Sequence, residues 1–516
     1  MNLNRRTVIK SGLSLAALGA AGIPAFAATK GGVLNIGTNR EMNYNMLSFS
    51  LTGDSLDYVY SWPIYESLFR PNAQGTVDPW LLESVESDPE GLSYTFHVRK
   101  GVTFSDGSVL DANVVKWNID HYMQVGARRN ALLGALQSVD LVDDYTLKIQ
   151  LSEWSSIIPT AFSREPGYMF SQLQYETHGD EHCQENPVGT GPFVLESWER
   201  NVKKVFKRND NYWGGPVNLD GVTYTIYSDP LVGQAAMMSG EIDAFAGMAY
   251  TGFKPLADRG FEIAIPALKS HCGLLVFNSV NAGGNDPTGN LLVRKAISHA
   301  INLEEVVAAA YLGLATPSTQ FGIGTHFRND DIVGYPYDPE KAKALLAEAG
   351  YPNGFTTKLM TEAGAANSTV LQVIQAHLAN VGITADIEIP TGAAGNQAAS
   401  GWGYGMWYQT SSVYVNVAMQ MASMFRQNLT GNILGLATMQ RPDEVHELLS
   451  TAVAAKSDEE AVAAVKEANR LLIDEYAIYV PIAEYAYSYI VSPRVKDSGI
   501  GATFYSVASL GTAYLE

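Results

Sequence analysis

Cysteine is scarce in this chain: Cys183 and Cys272 are the only two in 516 residues. Iron–sulfur ligation wants about four, so that chemistry has no ligands. CxxC, HExxH, GxSxG, Walker and GxGxxG patterns are missing as well. An enzyme built on a metal, a serine nucleophile or a nucleotide cofactor therefore has nothing to stand on, and we expect no catalytic group, no metal site and no cofactor. Positive charge is also short. Against 53 Asp and Glu there are 34 Lys and Arg, a formal charge of −19. A nucleic-acid partner would demand a basic face, and is excluded on that ground. Long apolar runs are missing too: Leu13–Ile23 falls far short of the ~20 residues that span a bilayer.

What is present describes a folded, exported protein. Apolar residues make up 46% and charged residues 17%, the proportions of a globular chain. The length exceeds one ordinary core and predicts two or three domains. Arg5-Arg6-Thr7-Val8-Ile9-Lys10 precedes the short apolar run, and Ala25-Phe26-Ala27 follows it. This is the pattern of a twin-arginine signal peptide over residues 1–27. Its removal takes away three cations and no acid, moving −19 to −22. No cysteine follows the run, so we expect no lipid anchor, and a soluble, monomeric protein in the periplasm. Cys183 and Cys272 are free to pair in an oxidising compartment, but their spacing in sequence leaves that open.

Beyond residue 28 strands and helices alternate, which predicts an α/β, mixed α+β, class. Tyr94, Phe96 and Val98 alternate as a half-buried strand. So do Leu147, Ile149 and Leu151, and Val222, Tyr224 and Ile226. Leu371, Ile374, Leu378 and Val381 fall at helical spacing; Gly382 stops the helix, and Ile383, Ala385, Ile387 and Ile389 alternate as the next strand. Asp338 and Pro339 open a helix with Leu345, Leu346 and Ala349 inward and Gly350 at its end. Ser457-Asp458-Glu459-Glu460 has capping-box spacing and leads into Ala461, Val465, Ala468 and Leu472. Between Ile389 and Phe425 there is no charge at all, and Trp402, Tyr404, Trp407, Tyr408 and Tyr414 crowd into its middle. Such a stretch suits a core, a membrane contact or the wall of a binding site; the interspersed Gly, Gln, Ser and Asn disfavour the membrane.

Several segments, in order, resemble the extracytoplasmic solute-binding proteins of ABC importers, family 5, which includes oligopeptide-, dipeptide- and nickel-binding proteins. They are Ile64–Tyr122 ("IYESLFRP…NIDHY"), Gly189–Gly215 ("GTGPF…NDNYWGG"), "SGEIDAF", "VRKAISHAIN", "YDPEKAKALLAEAGY" and Tyr479–Pro493. The resemblance implies a three-domain periplasmic-binding-protein fold, with two lobes that close on a cleft. Domain I would be drawn from 30–75, 190–275 and 487–516, domain II from 76–189 and domain III from 276–486. It also implies a small-molecule solute and the transmembrane subunits of an ABC permease as partners.

By family position the aromatic segment lines the cleft, where Trp402, Tyr404, Trp407 and Tyr408 offer planar faces for stacking. Peptide binders of the family hold the ligand's amino terminus there with an aspartate. The segment has no carboxylate here, so that anchor is in doubt. Arginines in stretches matching Arg128, Arg129 and Arg164 meet ligand carboxylates in nickel-binding relatives, and a guanidinium fork suits a carboxylate. Arg426 is the first charge after the aromatic segment, and Asn43 and Tyr44 follow the first strand toward the cleft. His178, His182 and Cys183 could share a metal if helical, but the family places them in a surface connection. The resulting expectation is a carrier of a peptide-like or opine-like solute. An oligosaccharide or metal chelate is the alternative ligand, and an exported enzyme the disfavoured alternative class.

Overall fold

A computed structural model of the chain describes all residues except 1–30, 42–45, 52–54, 73–74, 127–131, 249, 267–268, 270, 281–285, 323, 333, 362–367, 391–402, 413–415, 428–437, 487 and 503–509. The proposed signal peptide lies outside the described residues. Three larger sheets organise the rest. The first has seven strands in the order Glu262–Ala264, Tyr489–Val491, Ala244–Ala246, Val33–Thr38, Gly221–Ile226, Lys203–Arg208 and Phe193–Glu199. Val33–Thr38 is parallel to both its neighbours. A four-stranded antiparallel sheet runs Leu82–Asp88, Ser93–Val98, Thr146–Leu151, Leu136–Asp143. The third sheet has six strands: Thr316–Pro317, Tyr479–Tyr485, His271–Phe277, Met406–Ser412, Phe355–Met360 and Ile383–Glu388.

Local chemistry explains the elements. Helix starts carry short polar caps whose side chains accept from the first turn: Asp111 from Val114 N, Asp229 from Leu231 N, Asn290 from Leu292 N and Asn416 from Met419 N. Ser368–Ala379 buries Leu371, Ile374 and Leu378. Gly382 then takes φ +89°, where a side chain would be strained, and Ile383–Glu388 begins at once. Ile389, expected in that strand, lies beyond it and is exposed. The Asp338 cap holds Lys341 N, but the inward residues of its helix are Ala342 and Leu346, while Leu345 and Ala349 are half-buried. Ser457 caps Glu460 N as expected, whereas the return bond from Glu460 lands on Lys456 N, one residue upstream of the cap. The 172–183 stretch is helical with a break at Gly179 (φ +78°), and brings the exposed His178 and His182 rings within 4.5 Å of each other. Cys183 and Cys272 are separate free thiols. Burial pushes the Cys183 thiol up to about 11, so neither reactivity nor pairing is favoured.

The seven- and four-stranded units are joined at a buried carboxylate. Glu66 Oε1 accepts from Trp80 Nε1 at 2.8 Å and Tyr212 Oη at 2.7 Å. Its Oε2 accepts from Trp213 Nε1 at 2.7 Å and Thr190 Oγ1 at 3.1 Å. Arg70 adds a contact at 3.5 Å and lays its guanidinium over the Trp80 ring. Burial raises the Glu66 carboxyl, against the Arg70 charge and these donors.

Candidate ligand-binding site

Strand direction locates the crevice. Thr38, Ile226 and Ala246 end three parallel strands and lie side by side in register. In open α/β sheets ligands gather outside such carboxyl ends. Ala264 and Tyr489 share this edge, and from them the chain passes to His271 and back from Tyr485. Those two residues are paired with each other, and His271 also with Ser412, at one edge of the six-stranded sheet. The two edges therefore face each other.

Buried polar groups are present beside both edges. Asn39, next after Thr38, donates Nδ2 to Gly247 O at 3.0 Å, while its Oδ1 is buried without a hydrogen-bond partner among the described residues. Thr361, next after Met360, is also fully buried with no partner for Oγ1 among the described residues, but Met360 pairs with Trp407 and Trp407 with Val276, so it lies well back from the His271 edge. Gln420 donates Nε2 to Ser411 Oγ at 2.8 Å, one residue from that edge, and leaves Oε1 unpartnered. More than nine-tenths of buried polar groups in native proteins are paired, so such atoms take a partner from water or from an incoming molecule.

Charge is present as well. Glu484 and Ser411 flank Cys272 in register across three strands, which puts all three on one face of the sheet. Glu484 is 1% exposed and accepts from Gly324 N at 3.2 Å. Lys269, half-buried between the two sheets, is lowered by burial against the attraction of Glu484. On the other edge Glu41 takes Lys204 Nζ at 2.7 Å and Trp198 Nε1 at 2.6 Å on Oε1, and Asn201 N at 2.7 Å on Oε2. Burial alone would raise Glu41; the bonds from Lys204 and Asn201 outweigh it and hold the carboxyl low. This pair clamps the chain just before Asn43 and Tyr44.

The predicted residues divide. Asn43, Tyr44, Arg128, Arg129 and Trp402 lie outside the described residues. Trp407 is 1% exposed and packs with Tyr404 and Met360. Tyr404 is buried, 3.4 Å from Thr438 Oγ1. Tyr408 points to the opposite, helix-covered face and shares a 2.8 Å hydrogen bond with Tyr311 Oη. Stacking a solute on any of these three would require their present neighbours to move. Arg164 is also buried, with Nε 3.3 Å from Glu165 Oε2 and the guanidinium near the Tyr58 ring. Arg426, lowered by burial, lies close enough to Glu153 of the four-stranded unit to feel its charge.

Sequence reasoning missed Glu484, Asn39 and Gln420. The available signal for Glu484 was a lone acid inside the apolar run Tyr479–Ala486, an unusual place for a charge unless it is used.

Known proteins share this fold. Residues 76–432 match the family described as bacterial extracellular solute-binding proteins, family 5 middle. The chain is 32% identical over 400 residues to the glutathione-binding protein GsiB of Salmonella paratyphi A, covering 76% of each. It superposes on the ABC transporter-associated periplasmic binding protein DppA of Helicobacter pylori, solved with the peptide STSA. That match has a TM-score of 0.82 at 26% identity, over 95% of this chain and 99% of the other. The binding protein AgaA of A. tumefaciens R10, solved with agropinic acid, matches at TM-score 0.80 and 23% identity, over 94% and 99%.

Proposed function

Because the chain belongs to the bacterial extracellular solute-binding proteins of family 5, we propose that it captures a peptide-like or opine-like solute in the periplasm and hands it to an ABC permease. The family binds solutes for transport and transforms none. The ligand class rests on one observation above all. Buried oxygens of Asn39 and Gln420, without a partner among the described residues, lie by the facing edges of the two sheets, with the Glu484 carboxylate close to the same edge. Oxygen acceptors and a carboxylate suit a solute rich in N–H donors, such as a small peptide with a free amino group. Glu484 would then do from the Tyr479–Tyr485 strand what the missing aspartate does in peptide carriers. GsiB and DppA, named for glutathione and solved with a tetrapeptide, favour the same class.

We assign the seven-stranded unit to domain I (30–75, 190–275, 487–516), the four-stranded unit to domain II (76–189) and the six-stranded unit to domain III (276–486), the last closing against the other two. Strand membership and the Glu66 joint support that division. Of the earlier candidates, Trp402, Asn43, Tyr44 and Arg426 remain the proposed contacts, with Arg128 and Arg129 facing any solute carboxylate; Arg164, buried against Glu165, would have to leave that pair to join them. Residues 1–27 would direct export by the twin-arginine route.

Isothermal titration with reduced glutathione, a Ser-Thr-Ser-Ala peptide, an opine, a malto-oligosaccharide and a nickel chelate tests the ligand class. Heat from the first three alone is the expected result; binding of the sugar or the chelate alone would transfer the assignment to that alternative.

A further inference from the structure

The four-stranded and six-stranded units touch although the chain never runs directly between them. The contact is directional. Helix Asp443–Ala454 of the six-stranded unit ends at Ala455, and the last carbonyls of any helix have no partner within it. Val453 O accepts from Ser156 N at 2.9 Å and from Ser156 Oγ at 3.0 Å. Ala455 O accepts from the Trp154 indole at 3.0 Å. One residue on, Lys456 Nζ reaches Glu90 Oε1 at 2.6 Å. All four donors and acceptors on the first side belong to the four-stranded unit or to the segment that leaves it after Leu151.

The donor side is prepared for this. Trp154 stacks on Tyr94 with centroids 4.9 Å apart and planes 20° from parallel. The Tyr94 hydroxyl donates to Ser155 O at 3.0 Å, so the loop is held by its own sheet and presents Trp154 and Ser156 outward. Trp154 is nevertheless only 8% exposed, because the helix end covers it. Separation of the two units would return these carbonyls to water and uncover the indole. Glu153 brings Arg426 to the same seam.

We propose that Trp154 and Ser156 form a latch on the carboxyl end of helix Asp443–Ala454, which holds the two lobes closed and so sets solute affinity without touching solute. A ligand bound only by the closed form has its apparent affinity reduced by the fraction of molecules that are open. Trp154 and Ser156 are thus positioning residues. They act on closure, in the range of one or two hydrogen bonds, which corresponds to about a tenfold change in the closed-to-open ratio. The division into lobes rests on the function proposed above, but the test needs no solute.

Small-angle X-ray scattering and hydrogen exchange of the solute-free full chain provide it. Trp154→Phe keeps an aromatic ring for Tyr94 to stack on but removes the indole N–H together with the rest of the pyrrole ring. It should increase the radius of gyration and speed exchange of the Ser156 amide by about tenfold, with the thermal transition still cooperative. Lys456→Glu should open the seam through repulsion from Glu90 at low salt, and the exchanged pair Glu90→Lys with Lys456→Glu should close it again, a rescue that a purely local packing role would not give. Scattering and Ser156 exchange identical to the parent protein in Trp154→Phe would overturn the latch, whatever solute the titrations identify.

Discussion

The Trp213 indole N–H donates to Glu66 Oε2 at 2.7 Å, and both residues come from segments that carry the family resemblance. Thr190 and Tyr212, from the same landmarks, converge on the same carboxylate. Removing the carboxylate leaves these donors and Arg70 facing one another in the interior. Glu66→Ala should therefore lose about 3–5 kcal/mol, the usual consequence of breaking a buried ionic cluster from one side. Glu66→Gln, which keeps the shape and one acceptor, should lose less. Urea unfolding of the two variants against the parent measures both.

Trp407 is a second structural position, despite its place in the aromatic segment. Its ring is closed in by Tyr404 and Met360. Trp407→Ala should cost about 3–5 kcal/mol through the cavity it leaves. The loss would appear in denaturant unfolding before any ligand is added; a variant as stable as the parent would return Trp407 to the solute.

His121 gives a pH prediction. Its Nε2 is buried without a hydrogen-bond partner, and burial lowers its pKa, against a raising influence of Asp180. The unfolded chain therefore binds a proton near pH 6.5 that the folded chain refuses until lower pH. Its contribution to stability is present above that range and is lost as pH falls through it. His121→Phe keeps a ring among Phe49, Trp117 and Tyr175 and should be neutral or stabilising at pH 7. The gain should grow toward pH 5.5, which melting curves across that range would register.

Glu484 separates amino-bearing solutes from the rest. Under the proposed function, Glu484→Gln should weaken a free-amine peptide by about 10–100-fold, the size of a hydrogen bond to a charged group. An N-acetylated version of the same peptide should be affected little. Equal losses for the two would remove the ammonium from Glu484.

The contrast between Glu66 and Glu484 shows what the sequence discloses. Regular alternation at Tyr94–Val98 and the Leu371–Val381 spacing identify a strand and a helix, because burial on one face imposes a period. The landmark motifs were legible for a similar reason: Glu66, Thr190, Tyr212 and Trp213 are polar or amphipathic residues confined to one joint, so they stand out in sequence as fixed words. The crevice has no such words. Asn39 and Gln420 come from distant segments, and only the arrangement of the two sheets brings their edges face to face. Trp407 was ambiguous for the converse reason, since an uncharged aromatic run has the same composition in a core and in a cleft wall.

The central question is whether a small amino-bearing solute occupies this crevice. Native mass spectrometry of protein freshly isolated from a periplasmic extract addresses that directly, followed by melting with the identified molecule added back. The expected result is a carried mass of a short peptide or opine, and stabilisation by about 2.7 kcal/mol at a hundredfold excess over Kd. Protein that carries no solute, and whose melting responds to no peptide, opine, sugar or chelate, would contradict it.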